Sequence, residues 1–252
     1  MGHSEIEERM KQNYEFPYRI KLTRRMPVII RIDGKAFHSF TKGFKKPFDT
    51  DLIFTMQDTC KFLCENIQGC VLGYIQSDEI SLLLVDYQKE TSQGWFDYNL
   101  QKMVSVSASL ATLEFNRRWR EVVSKEENKE CKEYGSYLKA YYKGACFDSR
   151  AFNIPKEEVV NYFYGRQLDC IRNSVAAVGQ TYFSAKELNQ KGTAAVKEML
   201  NGIGVDWDYD FTRVERYGSC CVKGVKGWVI DYAIPVFKGE GREYIGERFL
   251  TK

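Results

Sequence analysis

Two short acidic stretches carry the side chains able to do chemistry: Arg31-Ile32-Asp33-Gly34-Lys35 and Gln76-Ser77-Asp78-Glu79. Each lies where an apolar, β-rich run stops. The first follows Pro27–Ile32; the second follows Cys70–Ile75, and Ile80–Val85 leads out again. Two carboxylates a few ångströms apart repel unless a cation sits between them. Hard oxygen ligands beside a phosphate select Mg²⁺. Gly34 lets the backbone turn sharply, offering its carbonyl to a metal and its neighbours' N–H groups to a phosphate. Lys35 and the group Lys42, Lys45 and Lys46 are placed to neutralise a triphosphate. These are the parts of two-metal phosphoryl transfer, in which one ion activates a hydroxyl and the other steadies a leaving pyrophosphate. Taken singly, Asp-Gly reads as a turn and Ser-Asp-Glu as a polar hairpin loop. The chemistry requires Asp33 and Asp78 to meet in space.

Other chemistries have little to build on. His3 and His38 are the only histidines, so a Ser-His-Asp arrangement is poorly supplied. The eight cysteines contain no C-x-x-C pair, and most sit in apolar segments where a thiol acts as a small hydrophobe. Net charge is only +3. Its distribution says more: Lys21 to Lys46 holds eight basic residues against the single Asp33, an expected setting for a polyanion. The longest apolar runs are strand-length, so no membrane span is expected. The acidic, non-hydrophobic N-terminus reads as no signal peptide, and a cytoplasmic protein is the expectation.

The elements that must position these residues follow from hydrophobic period. Residues 4–15 read as a polar helix and 27–33 as a strand. From Asp49 or Thr50 to Ile67 the apolar spacing is helical, with N-cap chemistry at its start and Gly69 as a stop. Strands at 70–76 and 80–86 make a hairpin, followed by a polar loop over 87–98 and a long helix from about Asn99 to Lys125. Residues 125–133 read as a surface loop and 143–152 as a fourth strand before Pro155. Beyond it come a helix over 156–178 broken near Gly179, a capping-box start at Ser184, a helix over 193–200, and a hairpin of strands 213–223 and 227–237.

The order β-α-β-β-α-β is the ferredoxin-like unit. Its third strand lies between the first two and antiparallel to both, which places the end of the first strand beside the turn joining the second and third. Topology alone therefore puts Asp33 next to Asp78. The expected fold is α+β: a palm-like core over 25–155 and a C-terminal helical and hairpin elaboration over 156–252, together one catalytic unit. The class this implies is a nucleotidyltransferase or cyclase.

The run Arg31-Ile32-Asp33-Gly34-Lys35-Ala36-Phe37-His38-Ser39-Phe40, followed by Lys46-Pro47 and Gln76-Ser77-Asp78-Glu79, closely resembles the tRNA-His guanylyltransferase family. Phe147-Asp148-Ser149-Arg150, Arg166-Gln167-Leu168-Asp169-Cys170 and Gly192-Thr193-Ala194-Ala195-Val196-Lys197 extend the match, so that it runs from about residue 25 to 200. The resemblance implies an enzyme that adds nucleotides to the 5′ end of tRNA in the 3′-to-5′ direction. It implies that Asp33, Gly34 and Asp78 hold two Mg²⁺ ions, and that Glu79 is a third acidic residue needed for activity. Asp33 through His38, Lys46, Ser77 and Asp78 match nucleotide-binding positions for GTP and ATP. Arg150, Arg166, Arg172, Asn173 and Lys197 are the candidate tRNA contacts, with the Arg117–Arg120 cluster a further one on charge. A homotetramer is expected.

One departure matters. Where family members that guanylate tRNA-His carry H-I-N-N-L-Y-N, this chain reads Ile171-Arg172-Asn173-Ser174-Val175 after Asp169-Cys170, keeping only Asn173 in register. In this it resembles the guanylyltransferase-like branch, which repairs 5′-truncated tRNAs by copying the opposite strand. The alternatives are a tRNA-His guanylyltransferase adding the extra 5′ guanylate and a non-catalytic tRNA-binding protein.

Overall fold

The computed structural model describes residues 4–250; His3 lies outside them. In chain order, helix α1 (Glu5–Met10) continues as a π turn (Lys11–Glu15) and a 3₁₀ turn (Phe16–Tyr18). Then come β1 (Val28–Gly34), α2 (Phe37–Phe40), α3 (Thr50–Asn66), β2 (Cys70–Gln76) and β3 (Glu79–Leu84). These lead to α4 (Leu100–Ser124), α5 (Glu126–Lys129), α6 (Tyr134–Lys143) and β4 (Phe147–Asn153). The remainder is α7 (Val159–Tyr182), α8 (Ala185–Leu188), α9 (Thr193–Asn201), α10 (Arg213–Tyr217), β5 (Ser219–Gly224), β6 (Gly227–Asp231) and α11 (Arg242–Leu250).

The strands form one sheet in the order β4-β1-β3-β2-β5-β6, every neighbouring pair antiparallel. The first four, β4-β1-β3-β2, follow the ferredoxin-like order, with β3 between β1 and β2. The C-terminal hairpin joins this same sheet along β2, pairing Leu72 with Val222 and Ile75 with Ser219.

Both sheet faces are buried, which explains why β3 reads as a continuous apolar run rather than an alternation. One face takes Ile30, Ile32, Ile80 and Leu82 against α3 and α4. The other takes Ile29, Leu72, Tyr74 and Leu83 against Val159 and Phe163 of α7 and Ile245 of α11. Helix α4 presents Met103, Ser107, Ala111, Phe115 and Trp119 inward at four-residue steps, all buried. The loop after β1 is anchored by rings: Phe40 stands 5.5 Å from Phe115, and Phe44 stacks on Trp119 at 5.0 Å. Asp49 caps α3 by accepting from Leu52 N, accepts a bond from the Tyr137 hydroxyl at 2.7 Å, and takes the Lys45 amide at 3.1 Å. A buried carboxylate thus fastens the basic loop to two helices.

Several sequence expectations are corrected. Residues 125–133 are not wholly loop, since α5 occupies part of them, and α6 follows where no helix was expected. Residues 213–217 are helical rather than extended. Thr212 and Glu215 form a capping box there, and Gly218 (φ +77°) ends the helix where a Cβ would meet the Ile75 carbonyl oxygen at 2.4 Å. Helix α7 runs through Gly179 to Tyr182, and α11 was not foreseen. The last strand ends at Asp231 rather than 237.

Candidate active site

Register settles the first question about the two acidic motifs. Asp33 on β1 pairs across the ladder with Glu79 on β3 and with Asp148 on β4. The Gly34 amide donates to the Asp78 carbonyl at 3.1 Å. The hairpin between β2 and β3 is two residues long, Ser77-Asp78, with Ser77 in the left-handed region at φ 49°. Its hydroxyl bonds the Asp78 carboxylate at 3.0 Å.

Burial shapes Asp78. Desolvation raises its pKa above the ordinary 3.8, and the negative charges of Asp33 and Glu79 push the same way. Hydrogen bonds from its own backbone and from Ser77 oppose the rise without cancelling it. A carboxyl more basic when folded than unfolded contributes stability on acidification: its contribution grows as pH falls through the folded value and levels off below 3.8. At neutral pH the ionised form is therefore a cost that a cation would relieve. We expect unliganded Asp78→Asn to melt above the wild type at neutral pH, the gap closing as pH falls. Melting curves across pH check this, and a gap independent of pH would exclude it.

A cleft of about 630 Å³ opens at this end of the sheet. One wall holds Asp33, Gly34, Ala36, Phe37, His38, Ser77 and Asp78; Lys45 and Lys46 stand on its rim side. The far wall is α7, through Cys170, Asn173, Ser174, Ala177 and Gln180. These recur at helical spacing, 170, 173, 174 and 177, one face of a helix. The size suits a nucleotide.

Asp33 and Asp78 with the Gly34 carbonyl are the groups here able to hold a cation. Among the described residues no three His, Cys, Asp or Glu side chains converge to hold a metal ion. A hard divalent ion would complete its shell from backbone carbonyl, water and phosphate oxygens, which is how Mg²⁺ binds.

Other candidates are placed differently. Lys35 is exposed outside the cleft wall, and its amide donates to the Cys146 carbonyl at 2.8 Å. With the Gly34 amide also engaged, the amide contacts foreseen for a phosphate fall to residues beyond Lys35. The basic excess from Lys21 to Lys46 divides along the strand. Lys21 and Arg24 pair with Asp97, and the Arg25 amide donates to Asp86, all at the end of β1 remote from Asp33. β1 is seven residues long, roughly 20 Å at strand rise.

Of the candidate tRNA contacts, only Asn173 lines the cleft. Arg150 is exposed beside Asp148 at 3.5 Å. Arg166 grips Glu79, and Arg172 pairs with Asp169. Lys197 bonds Asp208 at 3.0 Å and sits 3.7 Å above the Trp207 ring. Arg117 and Arg118 clasp the buried Glu114. The α7 wall was missed as a site from sequence: Cys170, Ser174 and Ala177 look like the inner face of a packed helix, and that periodicity is the same whether the face meets a core or a cleft.

Known proteins resemble this chain over most of its length. The sequence profile of the tRNAHis guanylyltransferase family matches residues 7–155. The tRNA(His) guanylyltransferase of Schizosaccharomyces pombe is 31% identical over 221 residues, covering 81% of this chain and 77% of that protein. A bacterial tRNA(His) guanylyltransferase-like protein in complex with ATP superposes with a TM-score of 0.85 at 40% identity, covering 98% of this chain and all of that one. A GTP complex of a bacterial protein of the same description gives 0.76 at 39% identity, covering 97% of this chain and 99% of that one. With a profile match across more than half its length, the chain belongs to the tRNAHis guanylyltransferase family, and it is a nucleotidyltransferase.

Proposed function

We propose that this enzyme extends the 5′ end of tRNA in the 3′-to-5′ direction, choosing each nucleotide by pairing with the opposite strand. The observation carrying the reading is the composition of the cleft. Asp33, Gly34 and Asp78 meet at one wall, while the other is the stretch of α7 where this chain departs from H-I-N-N-L-Y-N and only Asn173 remains in register. The bacterial relatives that share the fold over nearly the whole chain are described as guanylyltransferase-like and were seen with ATP and with GTP. Those nucleotides are the expected substrates here. The same reading carries over from the family two Mg²⁺ ions, a cytoplasmic location and a homotetramer.

Asp33, Asp78 and the Gly34 carbonyl would hold the ions, which supply activation of the attacking hydroxyl and charge neutralisation at the leaving pyrophosphate. The rest is the work of the chain's own groups. Lys45 and Lys46 offset triphosphate charge from the rim. Ser77 orients the Asp78 carboxylate through their 3.0 Å bond. Asn173 presents a carboxamide to the bound nucleotide. A 5′-monophosphorylated tRNA is first activated by a nucleoside triphosphate. The 3′-hydroxyl of the incoming nucleotide then attacks the tRNA 5′ phosphorus, displacing the activating group. A triphosphorylated end skips the activation step.

A second reading, addition of the extra 5′ guanylate to tRNA-His, is favoured by the name of the S. pombe relative. Single-turnover extension of a 5′-labelled tRNA lacking its first nucleotide, with Mg²⁺ and each nucleoside triphosphate in turn, separates the two. Addition of only the nucleotide complementary to the opposite strand is expected. Guanylate addition confined to full-length tRNA-His would favour the second reading.

A further inference from the structure

Glu79, like Asp148, pairs with Asp33 across the ladder, yet it does not line the cleft. Cross-strand partners share a face, and this face carries Ile29 and Leu83 against α7. Glu79 is therefore turned toward α7, and its side chain is only 6% exposed. Both oxygens are occupied. The Arg166 Nε donates to Oε1 at 2.7 Å and its Nη2 donates to Oε2 at 2.5 Å, a bidentate fork. The Ser81 hydroxyl lies 3.4 Å from Oε1 and the Arg31 Nε 3.8 Å from Oε2. The third Arg166 nitrogen donates to Asp169, whose other oxygen takes Arg172. A carboxylate held this way has little left to offer a small octahedral ion that demands near-ideal geometry.

What the fork does hold is α7. Arg166 lies one turn before Cys170, where the cleft wall begins, and the wall continues through Asn173, Ser174 and Ala177. Arg166 is the ionic tie between that helix and the catalytic strands, at the level of the acidic motifs. It fixes the height and rotation of the wall against Asp33 and Asp78. Displacements of about 1 Å in a reacting geometry cost on the order of a hundred-fold in rate.

Resting on the proposed reading of the cleft, we infer that Glu79 is a positioning residue that registers α7 against the catalytic strands through Arg166, and that Arg166 is its structural partner rather than an RNA contact. Arg166 is then needed by nucleotide and tRNA alike, through Asn173 and its neighbours. Asp33 and Asp78 keep the cation to themselves.

The test is a double-mutant cycle on the full chain with Glu79→Gln, Arg166→Gln and the pair together, read by equilibrium ATP binding and by the Mg²⁺ concentration giving half-maximal binding. Each single change is expected to weaken ATP about ten- to a hundred-fold while leaving the Mg²⁺ midpoint in place. The double variant should be no worse than the poorer single. Arg166→Lys, which keeps the charge but not the fork, should restore less than half of the loss in log units. A ten-fold rise in the Mg²⁺ midpoint for Glu79→Gln, with Arg166→Gln binding ATP like wild type, overturns the inference. So do losses that simply add. If the singles unfold, the double, which removes both charges of the fork together, carries the test alone, and wild-type ATP affinity in it overturns the inference. Absence of ATP binding by the wild type would instead overturn the reading of the cleft.

Discussion

Asp78→Asn is expected to fold, to melt no lower than the wild type, and to lose nucleotide addition by at least about a thousand-fold. Cation stabilisation of a phosphoryl transition state is worth several kcal/mol, and each 1.36 kcal/mol is a factor of ten. The substitution keeps an oxygen able to accept from Ser77 and the backbone, so the two-residue turn survives. What disappears is a negative charge placed by burial beside Asp33 and Glu79. The fold bears that charge as a cost, and the proposed mechanism uses it: loss of function and gain of stability should appear in the same protein. Asp33→Asn should show the same loss, since its cross-strand position is beside the same turn. Single-turnover assays with circular dichroism check both. Activity within ten-fold of wild type in either variant would remove that residue from the metal site.

The meeting of the two motifs was legible because it depends on element order alone. A β-α-β-β order leaves few ways to arrange three strands, and β3 falling between β1 and β2 brings Gly34 against Asp78 whatever the packing. The charge pattern misled for a local reason. Lys21, Arg24 and Arg25 are near Asp33 in sequence, but a strand extends the chain, and those residues end up with Asp97 and Asp86 at its other end. Helix α6 was hidden by its composition: Tyr134-Gly-Ser-Tyr carries little helix preference, and Tyr137 is held by tertiary bonds, its hydroxyl on Asp49 and its carbonyl on the Trp119 indole. Glu79 shows the deeper limit. Its neighbour Asp78 lies in the turn and lines the cleft, whereas Glu79 lies in the strand, buried against Arg166 of α7. The run Ser-Asp-Glu cannot announce that its second carboxylate meets Arg166, 87 residues away.

Gly34→Ala is expected to damage fold and activity together, because space rather than backbone freedom demands the glycine. A Cβ at this position would stand 2.2 Å from Cδ2 of Phe37 and 2.6 Å from its Cε2. The ring cannot swing away. It packs 5.0 Å from Phe40, 5.4 Å from Phe115 and 5.2 Å from Phe147, in the same buried cluster that holds the loop carrying Lys45 and Lys46. Overpacking of this kind costs typically 1–3 kcal/mol, which for a chain of this size lowers Tm by roughly 2–6 °C. The backbone must also give, and Gly34 carries both the proposed metal-facing carbonyl and the amide bonded to Asp78. Activity should therefore fall further than stability, by about a hundred-fold in enzyme that remains folded. Making room with Phe37→Leu in the same chain should recover part of the Tm and part of the activity. Wild-type Tm in Gly34→Ala alone would mean the Phe37 ring has somewhere else to go, and the tight turn would no longer explain the glycine.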